Sequence, residues 1–165
     1  MSNYAALPIV FLAAVLQATF IPQIRIFGGT PDLAFLFFLS WAINSPLETG
    51  VIWAFAGGIA VDLLSAAPTG TSVIGLLLIV FAIDALRRQF VNISLPLVVA
   101  LLVGGTMLHK LVFAFVMILS GFGINLFEYS IYVVAPTIAY NLIFALPVFW
   151  LSRKLRPRRE GRVSP

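Results

Sequence analysis

Four residues of this 165-residue chain place titratable chemistry in or beside long apolar runs: Asp32, Asp62, His109 and Lys110. If those runs cross a bilayer, a charge at the centre costs at least about 2.5–3.5 kcal/mol and must have a partner or a purpose. Asp32 opens an apolar segment, where an acid gains about 0.3–1 kcal/mol from the helix dipole. Asp62 falls near the C-terminal end of its segment, where the dipole disfavours an anion. Lys110, the backbone N–H groups of the Pro68-Thr69-Gly70 turn, or Arg25 must offset it. The expectation adopted is an Asp62–Lys110 ion pair tying two helices together, with His109 beside it. A proton or ion relay is the sharper alternative, because His and Lys titrate readily when desolvated. A relay needs a chain of groups, and the inner half of the His109-Lys110 segment supplies none.

Catalytic chemistry has little to work with. The chain holds one His and no Cys, which excludes thiolate nucleophiles, disulfides, zinc–thiolate sites and iron–sulfur clusters. No pair of carboxylates flanks a plausible water, and Gly57-Gly58 and Gly104-Gly105 fall inside helices rather than in phosphate-binding loops. Metal ligation would need more than one His and two acids. The residues therefore point away from an enzyme and from any cofactor or metal.

The elements that carry these residues follow from composition. Hydrophobic residues make up 61% and charged residues 10%, against about 45–50% and about 25% in ordinary globular domains. Mean hydropathy is +1.08. So few charges cannot cover a small domain in water, and the chain reads as an all-α integral membrane protein. Punctuation by Pro, Gly and charge divides it into six spans: about Tyr4 to Ile21, Pro31 to Ile43, Pro46 to Ala66, Thr71 to Gln89, Leu95 to Ser120 and Asn125 to Leu151. The second is short for a span, which needs about 20 residues; a five-span reading drops it. Thr30 is the expected N-cap of the second helix, with Pro31 at its first position. Ser45-Pro46-Leu47-Glu48 reads as a capping box, and Asn125 with Glu128 repeats the pattern. Pro136 should kink the last helix.

Residues 1–152 thus form a single six-span domain and 153–165 a basic tail. Six of the ten Lys/Arg lie in that tail, among them Arg153, Lys154, Arg156, Arg158 and Arg159. Clustered basic residues beside a span mark the cytoplasmic side. Both termini are then cytoplasmic, with Arg87 and Arg88 also inside and Arg25 alone outside. No recognition surface accompanies the basic patch, so the net charge of +4 does not signal nucleic acid.

Gly50, Ala54, Gly58, Asp62 and Ala66 share one face of the third helix at i+4 spacing. Small residues so spaced allow close helix approach, either to a neighbour within the chain or to a docked partner. Asp84, Arg87 and Arg88 are spaced for a local pair. Gln17 should hydrogen-bond across the bundle, and Thr137 and Asn141 should satisfy backbone groups freed by Pro136.

Thr30-Pro31-Asp32-Leu33, the Gly57-Gly58 pair followed by Val61-Asp62-Leu63-Leu64, and Pro68-Thr69-Gly70 stand in an order that resembles the rod shape-determining protein MreD family. The match in detail covers about residues 28–90; size, six spans and a basic tail agree, while His109-Lys110 matches no stated family pattern. The resemblance implies a non-enzymatic scaffold of the bacterial inner membrane. Such a scaffold associates with MreC, with the MreB filament, and with RodA and its transpeptidase partner in lateral peptidoglycan synthesis. It also implies the fold of the substrate-binding components of energy-coupling-factor transporters, and a vitamin-binding component of that kind is the alternative. A vitamin site would have to be lined by Asp32, Asp62, Lys110 and Arg25. An ion channel or proton-coupled carrier is a third class. On the scaffold reading, the face of Gly50, Ala54, Gly58 and Asp62 is the expected docking surface for MreC. Pro31, Asp32, Pro68 and Gly70 form the outer-side motif, and the tail is expected to meet membrane lipid or an acidic partner.

Overall fold

A helix satisfies its own backbone N–H and C=O groups, which an apolar chain in an apolar medium cannot otherwise do. Among the described residues of the computed structural model, every regular element is helical. The structure describes residues 6–19, 23, 28–65, 68–89 and 95–155, with backbone alone at 6–11, 13 and 151–155. Arg25, Ala66, Arg156, Arg158 and Arg159 lie outside the described residues, as do the side chains of Arg153 and Lys154.

The elements are α1 (Ala6–Thr19), α2 (Leu33–Ala42), α3 (Leu47–Leu63), α4 (Thr71–Gln89), α5 (Leu95–Leu119), α6 (Leu126–Tyr129) and α7 (Ala135–Leu155). A π-helical stretch, Ser130–Val134, joins α6 to α7. Its wider turn lies just before Pro136, whose ring would otherwise press on the preceding turn. By length and composition, Leu95–Leu119 and Leu126–Trp150 are long and apolar enough to cross a membrane.

Two expected caps are corrected. Asp32, not Thr30, caps α2, its carboxylate accepting from the Phe35 N–H at 3.2 Å. The capping box before α3 does not form: Pro46 is the N-cap, and the Ser45 hydroxyl turns back to donate to the Trp41 carbonyl at 2.9 Å. Asn125 caps α6 as expected, accepting from the Phe127 N–H at 3.1 Å.

The short α2 is the hub. It packs against α1, α3, α4, α5 and α7, and seven of its ten residues are buried. Phe35, Leu36, Phe38 and Leu39 meet Trp53, Ala54, Leu76, Ile79, Ile83 and Leu102 in the core. Around this apolar core, large apolar side chains also face outward, and several polar side chains are buried. Leu63, Leu95 and Leu146 are 71–77% exposed, whereas Asp32, Asp62, Thr106, His109, Thr137 and Asn141 are buried. Apolar side chains outside and polar ones inside suit a molecule whose solvent is lipid.

The small-residue face of α3 is not free to dock a partner. Gly50 lies against Val80, Ala54 is fully buried, and a Cβ on Gly58 would come within 2.7 Å of the Val73 backbone. The stripe is the seam between α3 and α4, so the intramolecular reading replaces the docking face. We expect Gly58→Leu to lower the thermal unfolding midpoint in detergent, from overpacking worth about 1–3 kcal/mol or more. Val51→Leu, on a less buried part of α3, should leave it nearly unchanged.

Candidate functional site: a buried polar cluster at the start of α2

Ten residues rise about 15 Å, half the roughly 30 Å of a hydrocarbon core. Asp32 and Ala42, at the two ends of α2, are both buried, so the unpaired backbone groups there need partners. The neighbouring helices α1, α4 and α7 supply them. From α7, the Asn141 side-chain carbonyl accepts from the Asp32 N–H at 2.8 Å. From α1, Gln17 Oε1 accepts from the Leu33 N–H at 2.8 Å, and its Nε2 donates to the Pro31 carbonyl at 3.1 Å. At the other end, the guanidinium of Arg87 on α4 donates to the carbonyls of Ala42 and Ser45. A cation there also meets the negative end of the helix dipole.

The Asp32 carboxylate is held in turn by α5. Lys110 Nζ donates to Asp32 Oδ2 at 2.8 Å, and His109 Nδ1 approaches the same oxygen at 3.5 Å. The imidazole stacks on Phe35, with ring centroids 5.6 Å apart and planes 14° from parallel. Its edge lies against Gly75 of α4, where any Cβ would come within 2.5 Å of His109 Cδ2. One turn earlier on α5, Thr106 accepts from Asn141 Nδ2 at 3.0 Å and donates to the Leu102 carbonyl at 2.7 Å. Asp32, Lys110, Asn141 and Thr106 thus form one hydrogen-bonded network spanning the start of α2, α5 and α7, with His109 packed beside it.

Asp62 belongs to a second, neighbouring cluster. Its carboxylate accepts from the Gly70 N–H at 2.7 Å and from the Ser72 N–H at 3.0 Å. It therefore caps α4 from the end of α3, and the positive end of the α4 dipole offsets its charge. The expected Asp62–Lys110 ion pair is corrected: Lys110 pairs with Asp32, and the turn backbone takes Asp62. Gly70, at φ +101°, supplies the left-handed turn that aims its N–H at the carboxylate. Pro68 contributes its carbonyl, which accepts from the Thr71 hydroxyl. Pro31 is buried above Gln17.

Two further expectations change. Arg88 pairs with Asp84 at 2.9 Å, but Arg87 leaves that local set to reach α2. Asn141 serves the backbone of α2 rather than the groups freed by Pro136, and the Thr137 hydroxyl has no hydrogen-bond partner among the described residues. Gln17 hydrogen-bonds across the bundle as expected, whereas the roles of Asn141 and Arg87 at the ends of α2 are invisible in sequence spacing.

Chemically the arrangement is a lock. Its ion pair is neutral overall and its polar atoms are largely spent on each other. Among the described residues, no group of three or more His, Cys, Asp or Glu could hold a metal ion.

The family model of the rod shape-determining protein MreD matches residues 2–156. No curated protein and no solved structure matches the chain.

Removing one member of a buried ion pair leaves the other charge uncompensated, at a cost of about 3–5 kcal/mol. Asp32→Asn and Lys110→Met should each lower the unfolding midpoint sharply, and the double variant should recover most of the loss. Asp62→Asn combined with Lys110→Met should instead show a far smaller coupling than the Asp32–Lys110 pair, because the two groups share no direct contact. Unfolding in detergent, followed by intrinsic tryptophan fluorescence, reads both double-mutant cycles.

Proposed function

The chain belongs to the MreD family, and from that premise we propose that it is a multi-pass, non-enzymatic scaffold of the rod-shape machinery. It is membrane-associated and acts in rod shape determination as its family does. In our reading it spans the bacterial inner membrane six times, with both termini cytoplasmic. It docks MreC and links it to MreB, RodA and lateral peptidoglycan synthesis. The family match over residues 2–156 carries this proposal, and the many large apolar side chains facing outward support it. The seam between α3 and α4 consumes the small-residue stripe, so a docked MreC span would lie on an outward apolar face. The basic residues Arg153, Lys154, Arg156, Arg158 and Arg159 would face the cytoplasm, each worth about 1 kcal/mol toward anionic lipid.

The vitamin-carrier alternative finds less support. The cavity beside Asp32 and His109 is about 10 Å³, far below the roughly 300–1,000 Å³ of small-molecule pockets. Lys110 and Asp32 neutralise each other, and Asp62 is bound to backbone.

Two experiments bear on the proposal. In a rod-shaped bacterium depleted of its own MreD, expression of this chain should restore rod shape. MreC should also copurify with it in mild detergent. Round cells despite normal membrane levels of the protein would overturn the functional reading. The absence of cysteine makes topology simple to read. Thr69→Cys should react with a membrane-impermeant thiol reagent in intact spheroplasts, and Ser164→Cys only after permeabilisation. The reverse pattern would invert the proposed orientation.

A further inference from the structure

Between the two carboxylate clusters lies the small cavity whose lining includes Asp32, Phe35, Val61, Ser72, Leu76 and His109. Its polar lining residues, Asp32, Ser72 and His109, are each at least nine-tenths buried. Neither ring nitrogen of His109 has a hydrogen-bond partner among the described residues, and both are shielded from solvent. The 3.5 Å approach of Nδ1 to Asp32 is longer than an ordinary N–H···O bond. A buried imidazole with both nitrogens unpaired carries the full desolvation cost of its polar atoms. The ring cannot turn away from it, being stacked on Phe35 and pressed against Gly75.

We propose that this cavity is a built site for one ordered water, which pairs His109 with Ser72 and joins the Asp32–Lys110 network to the Asp62 cap of α4. The volume, about 10 Å³, is at the lower limit for a single water (about 10–15 Å³), and a stable internal water needs two to four polar partners. The ring nitrogen of His109, the Ser72 hydroxyl and the Asp32 carboxylate supply them. The pair of Asp32 and Lys110 is already neutral, so the site selects a neutral, hydrogen-bonding ligand over a cation. The consequence is structural continuity. Lys110, Asp32, His109, the water, Ser72 and Asp62 make one polar thread through α5, α2, α4 and α3.

His109 is the sole histidine of the chain, so its imidazole gives an unambiguous nitrogen-15 signal when the protein is purified without a histidine tag. In nanodiscs, water-selective magnetisation transfer to the His109 ring should be present and insensitive to a soluble paramagnetic quencher. Ser72→Ala, which keeps the space but removes one of the three partners, should weaken the transfer without abolishing it. Ser72→Val, which removes the hydroxyl and fills the cavity, should abolish it. A wild-type ring that receives no transfer, or a Ser72→Val ring that receives it undiminished, would overturn the proposal. The wild-type measurement decides the matter even where a variant fails to fold.

Discussion

A helix of ten residues buried at both ends inside an apolar bundle is the constraint on which this molecule turns. In water the free N–H and C=O groups of its ends would be solvated at little cost. Inside an apolar bundle they must be met by protein, at several kcal/mol for each one left unpaired. Asp32 meets one such group from within α2, Asn141 and Gln17 meet others at the same end, and Arg87 covers the far end. Each of these side chains comes from a different helix, so satisfying α2 fixes α1, α4 and α7 around it.

The remaining polar residues follow as consequences. An aspartate placed to cap a buried helix brings a charge into the interior, and that charge requires Lys110. Lys110 commits the middle of α5 to the start of α2, about 14 Å from the end of α5 at 1.5 Å per residue. That placement seats His109 against Phe35 and Gly75. Asp62 solves the same problem for α4 with backbone alone, because the Gly70 turn presents its N–H groups directly. The two carboxylates thus share a purpose, closing helix ends where water is scarce, rather than pairing with a common base.

Much of this was legible in the sequence. The bounds of α4 are as the punctuation by Pro68-Thr69-Gly70 and Arg87-Arg88 predicts, and the four residues singled out for chemistry all lie at one end of α2 or α4. The pairing was not legible. Which acid meets Lys110 depends on how deep α2 sits, and no one-dimensional period encodes the depth of a short buried helix. Asn141 serves an amide 109 residues away, so spacing assigned it instead to the nearby Pro136. The Gly50–Gly58 stripe correctly signalled a close helix approach, but small residues do not specify whose helix approaches. Arg87 looked local because Asp84 stands three residues before it, whereas the carbonyls left open at the end of α2 are the stronger demand.

Amide hydrogen exchange at the start of α2 tests the central claim most directly. In nanodiscs, the Asp32, Leu33 and Phe35 amides should exchange as slowly as those in the middle of α4, although the first turns of helices ordinarily open readily. Asn141→Leu should accelerate the Asp32 amide selectively while the middle of α4 stays protected. Rapid exchange of these three amides in the wild type, or no response to Asn141→Leu, would contradict the account.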